Sequence, residues 1–97
     1  MGGGLWGRGS RMTITLYTMP NCPHCVRAKE ALDDHGITYT AVSIPDKSKR
    51  HEFYDSISPE MALYPQNVRR TMPKLKAGNM WVPSADDIVD MCLMGVL

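Results

Sequence analysis

Two cysteines spaced two residues apart, in MPNCPHC (19–25), constrain this chain more than any other feature. Prolines stand before and between them, and a run that reads as a strand comes directly ahead. A pair with this spacing can hold half of a metal site, close a structural staple, or cycle between dithiol and disulfide. Its surroundings decide among the three.

The pair sits between two extended segments. MTITLYT (12–18) alternates, with Met12, Ile14 and Leu16 on one side and Thr13, Thr15 and Tyr17 on the other, which predicts a strand. MPN (19–21) is a turn, and Pro23 suits the first position of a helix, where a missing N–H leaves nothing unpaired. Cys25, Ala28 and Leu32 recur at helical spacing, and Gly36 provides a left-handed stop. ITYTAVSI (37–44) is rich in β-branched residues and predicts a second strand, parallel to the first because a helix lies between them.

Beyond it, PDKSKRHEFYDSIS (45–58) predicts a weakly amphipathic helix capped by Asp46, with Phe53 and Ile57 on its apolar side. Ser58 and Pro59 open a further short helical turn, which Pro65 ends. KLKA and MWV flank Gly78-Asn79 and predict a hairpin. SADDIVDMCLMGVL (84–97) closes the chain as a helix capped by Ser84, with Asp86 and Asp87 in its first turn and Ile88, Met91 and Cys92 on one face. The order β-α-β-α-β-β-α is an α/β arrangement: a central mixed four-stranded sheet flanked by helices.

Bulk properties narrow the function. At 97 residues the chain suits a single domain, and 43% hydrophobic with 22% charged residues is an ordinary globular balance. A net charge of +1 argues against a dedicated nucleic-acid binder. No stretch approaches the ~20 apolar residues of a membrane span. The glycine-rich start, MGGGLWGRGSR (1–11), reads as a flexible leader, either an expression scar or a native arm, ahead of a domain over 12–97. It lacks the apolar core of an export signal, so the expected setting is the reducing cytoplasm. Three cysteines do not make a disulfide scaffold; they suit one working pair, Cys22 and Cys25, plus a core thiol, Cys92.

The pair divides its labour by position. Cys22 falls at the helix N-cap, where free N–H groups and the positive end of the dipole favour the thiolate, the attacking form. Cys25, one turn on, points into the protein and waits as the resolving thiol. Pro23 stiffens the loop. His24 either stabilises the thiolate as an imidazolium or faces solvent without an electrical role. A zinc site needs a second pair of ligands, and Cys92, His35 and His51 form none. The dithiol reading is therefore favoured, and C-x-x-C beside a βαβ unit reads as a thioredoxin-like redox motif.

A second element strengthens it. RTMP (70–73) stands before a strand, about fifty residues after the cysteines. On general grounds the bond before Pro73 would be trans. CPHC, RTMP and SADDIV, in this order and spacing, resemble the glutaredoxins, a branch of the thioredoxin fold, over residues 12–94. The resemblance is nearest to small bacterial and bacteriophage members. It implies that Cys22 is the nucleophile, Cys25 the resolving thiol and Pro73 a cis proline. It implies a glutathione site in which the Met72 backbone pairs with the cysteinyl part and Asp86 meets the γ-glutamyl ammonium. The helix start at 85–87 would take the γ-glutamyl carboxylate. Tyr17, Arg70 and Thr71 belong to the same implied site.

Two departures stand out. Pro83 and Ser84 replace the family's glycine pair, and Met19 replaces a common basic residue. The carboxylate-binding role then passes to Arg69, Arg70 or Lys74.

The implied activity is glutathione-dependent reduction of protein disulfides or glutathione mixed disulfides by a monomer with no bound cofactor. One alternative is a redoxin recharged by thioredoxin reductase that feeds an enzyme such as ribonucleotide reductase; another is a metal or iron–sulfur module. Among the remaining residues, Trp81 and the other methionines read as packing, and His35 and His51 as surface histidines.

Overall fold

A computed structural model describes residues 13–97; the expected leader over 1–11 and the strand's first residue, Met12, lie outside the described residues. The elements run β1 (Ile14–Thr18), α1 (Pro23–Asp34), β2 (Thr40–Ser43), α2 (Lys47–Ser56), a 3-10 turn (Ser58–Met61), α3 (Gln66–Arg69), β3 (Lys74–Ala77), β4 (Met80–Val82) and α4 (Ala85–Met94). The four strands form one sheet in the order β2-β1-β3-β4. β1 is parallel to β2, as the intervening helix requires, and antiparallel to β3, which pairs antiparallel with β4.

Local chemistry sets most boundaries. Cys22 has extended backbone (φ −118°, ψ 101°) and Pro23 starts α1. Gly36 leaves it at φ 67°, a conformation that carries no steric penalty for glycine. The Asp46 side chain accepts from the amides of Ser48 and Lys49 at the head of α2. Ser84 caps α4 by accepting from the Asp87 amide at 3.3 Å. Gly78, at φ 61°, turns the β3–β4 hairpin.

Three expectations change. β2 is half the length of the predicted segment, because residues 37–39 are spent in returning from α1, where the Ile37 amide bonds back to the Leu32 carbonyl. Ser58 does not cap the 3-10 turn; Ile57 holds that position and no side-chain hydrogen bond is made there. Pro65 does more than end a turn. Its carbonyl accepts from Val68 and Arg69 and so begins α3, a four-residue helix too short to leave a periodic signal.

The buried side chains fall into two clusters of different make-up. One joins α1 and α4 in an aliphatic core of Ile14, Leu16, Ala28, Leu32, Leu75, Val82, Ile88 and Cys92, with Ala77 and Ala85 filling the gaps. Cys92 is thus a packing residue, as expected. A second cluster joins Cys22, Cys25, Tyr54 and Met72, flanked by Tyr17, Met19, Ile44 and Phe53. Tyr17, Phe53 and Trp81 stack around one another, with centroids 4.6 Å apart for Tyr17–Phe53 and 5.9 Å for Tyr17–Trp81. Trp81 is half-buried, with Lys76 Nζ 5.4 Å above its ring.

Candidate active site

The site forms where the loop after β1 meets the loop before β3. Cys22, at the N-cap, receives the amide hydrogen of Cys25 on its Sγ at 3.2 Å. The same Sγ lies 3.9 Å from the carbonyl oxygen of Met72, fifty residues away. The Met72–Pro73 bond is cis, as the resemblance implies and contrary to the general expectation for X–Pro bonds. Both cysteines are free thiols and both are buried. Cys22 is 6% exposed, so a disulfide must reach its sulfur along a groove.

Cys25 is held protonated. Burial raises its pKa from 9.0 to about 12, helped by the hydrogen bond with Cys22 and the Coulombic effect of that sulfur. A backbone hydrogen bond at Met19 and the charge of Lys29 pull the other way without offsetting the burial. Burial likewise raises the Cys92 pKa.

Two grooves meet at the cysteine loop. The first, about 290 Å³, runs between Thr71, Met72 and Pro73 on one wall and Ser84, Ala85 and Asp86 on the other. The second, about 400 Å³, includes Cys22 itself, with Met19 and Tyr54 as its apolar part and Lys47, Arg50, His51 and Arg70 as its polar rim. His24 is exposed and lines both, as do Thr71 and Met72. His24 therefore stands at the mouth of the site, on the solvent side of the loop.

The expected glutathione residues are partly gathered and partly dispersed. Thr71, Met72, Pro73 and Asp86 share the first groove. Arg70 lines the second, where it pairs with Asp55 at 2.9 Å, bonds His51 Nδ1 at 2.8 Å and covers the Tyr54 ring. Tyr17 lines neither; its ring is spent in the aromatic stack. Asp86 already has a partner in Arg27, an exposed pair joining α1 to α4.

Lys74 is a correction. It was a candidate for a ligand carboxylate, but it is completely buried, its Nζ donating to the carbonyls of Val68, Thr71 and Pro83. Arg69 instead bonds Gln66. The sequence signal that misled was the run of basic residues over 69–76, which does not say which side of the sheet each member takes. Residues that sequence reasoning passed over include Arg27 and Asn67 on the first groove and Lys47 and Arg50 on the second. Arg27 lies on the cysteine helix itself, whereas Asn67, Lys47 and Arg50 belong to helices that reach the site only through the tertiary fold. Among the described residues, no group of three or more His, Cys, Asp or Glu side chains is placed to hold a metal ion. No described helix is long and apolar enough to cross a membrane.

A mixed sheet of this order, with a dithiol at the head of the first helix beside a cis proline, defines a thiol–disulfide oxidoreductase of thioredoxin-like fold. The Glutaredoxin family model matches residues 14–81, and the chain belongs to the glutaredoxin family. It is similar to glutaredoxin 1 of Rickettsia conorii, 25% identical over 79 residues, 81% of this chain and 71% of that one. Glutaredoxin 1 of Rickettsia bellii is 28% identical over 82 residues, 80% of this chain and 74% of that one. In fold it resembles the crystal structure of glutaredoxin 1 from Francisella tularensis complexed with cacodylate, with a TM-score of 0.73 at 22% identity, covering 88% of this chain and 96% of that one.

Proposed function

We propose that this chain reduces protein disulfides and glutathione mixed disulfides through the C-P-H-C dithiol, with glutathione as its reductant and no bound cofactor. The observation that carries this reading is the Cys22 sulfur, capped by the Cys25 amide at 3.2 Å and opening onto a groove shared with Met72 and Thr71.

The chemistry balances without an outside oxidant. The Cys22 thiolate attacks one sulfur of the substrate disulfide; the S–S bond breaks and the departing sulfur takes a proton. Cys25 then gives up its proton and attacks Cys22, releasing the second substrate thiol and leaving a Cys22–Cys25 disulfide. One glutathione reopens that bond, and a second removes the first as oxidised glutathione. For a substrate already carrying glutathione, Cys22 takes the glutathionyl group and a free glutathione completes the cycle without Cys25.

The high pKa of Cys25 fits a resolving role. Burial, then the hydrogen bond and the Coulombic effect of Cys22, keep it protonated, and the two contributions from Cys22 lapse once that sulfur is part of a mixed disulfide. Thr71, Met72 and Pro73 would hold the glutathione backbone, with Asp86 reached by its ammonium once Arg27 gives way. Arg70 would meet a carboxylate from the second groove. Tyr17 supports the cysteine loop through its ring, and Pro23 and His24 tune the loop between the sulfurs. The expected setting is a monomer in the cytoplasm.

A second reading keeps the dithiol and changes the donor. Pro83 and the engaged Asp86–Arg27 pair, at the place where glycines would open the groove, favour recharging by thioredoxin reductase, with a protein such as ribonucleotide reductase as acceptor. Turnover in a glutathione-coupled mixed-disulfide assay separates the two. Wild type is expected to turn over with glutathione and its reductase, Cys22→Ser to be inactive, and Cys25→Ser to retain activity on small glutathionylated substrates. Turnover only with thioredoxin reductase selects the second reading, and equal loss in both variants rejects the division of roles.

A further inference from the structure

Lys74 is the second residue after Met72, next to the cis proline, and it is 0% exposed. A fully buried ammonium is costly unless each of its protons finds an acceptor. Here each of the three does: Val68 O at 2.7 Å, Thr71 O at 2.6 Å and Pro83 O at 2.9 Å. Among the described residues its Nζ meets carbonyls and the Thr71 hydroxyl, at 3.5 Å, and forms no ion pair. A methionine would fill the same space without the desolvation cost, so the charge is there for what it holds.

What it holds is specific. Val68 and Thr71 lie on one wall of the 290 Å³ groove, and Pro83 leads directly into Ser84, Ala85 and Asp86 on the other. These segments stand at the two ends of the β3–β4 hairpin. The stem of Lys74 rises from β3, opposite Tyr17 in the sheet register, so the ammonium is anchored on a strand of the sheet.

We propose that Lys74 is a positioning residue: its ammonium straps the two walls of the groove together and thereby sets how tightly the groove takes its ligand. Burial lowers its pKa from 10.5 to about 8, which still leaves the ammonium as the prevailing form at neutral pH. The inference rests on the reading above that this groove receives glutathione. It departs from that reading in giving the width of the groove to a residue that never touches the ligand.

The test compares wild type with Lys74→Met and Lys74→Arg in the glutathione-coupled assay on a glutathionylated peptide. Lys74→Met is expected to raise KM roughly tenfold, the scale of losing hydrogen bonds to a charged group, while kcat stays within about twofold. Reduction of the Cys22–Cys25 disulfide by dithiothreitol, a small dithiol that can reach Cys22 through the 400 Å³ groove, is expected to keep its wild-type rate. Lys74→Arg, which again offers charged donors to carbonyls, is expected to recover most of the KM. An unchanged KM in Lys74→Met overturns the proposal; so does a parallel fall in kcat and in the dithiothreitol rate, which would mark a merely structural residue.

If wild type itself fails to turn over with glutathione, the reading of the groove fails, and the strap is judged by amide hydrogen exchange alone. Faster exchange over residues 67–73 and 83–87 in Lys74→Met supports it, and equal exchange overturns it. Should the Met variant not fold, Lys74→Gln, which keeps a neutral donor on a shorter stem, carries the same readouts.

Discussion

The two buried clusters contrast sharply. The cluster under α1 and α4 is closed and aliphatic: Leu16, Ala28, Leu32, Leu75, Ala77 and Ile88 are all at 0% exposure, and its one cysteine, Cys92, is inert packing. The other cluster is small, built of Cys22, Cys25, Tyr54 and Met72, and opens onto a polar rim. Chemistry needs a sulfur that a substrate can reach; stability needs side chains that water cannot. The fold separates the two demands by gathering each into its own cluster, α1 giving Cys25 to one and Ala28 and Leu32 to the other.

That division can be broken from either side. The largest effect on activity is expected from Cys22→Ser, which removes the attacking sulfur and takes turnover to background. Its denaturation midpoint should stay near wild type, since the substitution exchanges one small side chain for another outside the aliphatic core. A midpoint that collapsed with the activity would show the two clusters to be one unit.

The largest effect on stability is expected in the closed cluster. Leu32→Ala removes a fully buried side chain and should cost ~2–5 kcal/mol in chemical denaturation, with the folded fraction keeping its specific activity.

A third test uses pH. Cys25 has a folded pKa of about 12 against 9.0 unfolded, so the folded state binds the extra proton between those values. Its contribution to stability is complete below about pH 9 and is lost as pH rises toward 12. Lys74 works in the opposite sense, its depressed pKa favouring the folded state as pH climbs from about 8 to 10.5. The reduced wild-type protein should therefore lose stability relative to Cys25→Ser across pH 9–12, and parallel curves for the two would remove Cys25 as the titrating group.

The smallest effect is expected from Arg27→Ala. Its pair with Asp86 is exposed, with side-chain accessibilities of 49% and 80%, and such pairs contribute ~0–1 kcal/mol. Stability should hardly change, while glutathione KM should fall by a few-fold as Asp86 is released. A rise in KM would mean that Arg27 itself meets the ligand.

Much of this was legible in the residues. Alternation in 12–18, the proline at helix position one, the caps Cys22, Asp46 and Ser84, and the Gly78 turn all have local causes, and local causes survive without knowledge of the fold. The segments that resisted lacked such causes. β2 is a wholly exposed edge strand, with no buried alternation to fix its ends. The helix Gln66–Arg69 consists of little more than the turn that Pro65 starts. At the site, the N-cap place of Cys22 follows from its neighbours in sequence, whereas the fates of Tyr17, Arg70 and Asp86 were settled by residues far away in the chain, and that of Lys74 by the hairpin that brings Pro83 back to it.

By itself, then, the order of amino acids determined the pattern of strands and helices and the position of one sulfur at a helix start, because those depend on side chains within a turn or two of one another. Only the tertiary structure decided that Lys74 turns inward to three carbonyls, that Asp86 meets Arg27, and that the Met72 carbonyl comes to lie 3.9 Å from Cys22. The Asp86 and Met72 contacts join segments fifty or more residues apart, and the Lys74 contacts need the β3–β4 hairpin to bring Pro83 back toward β3, so all of them exist only once the sheet has brought its loops together.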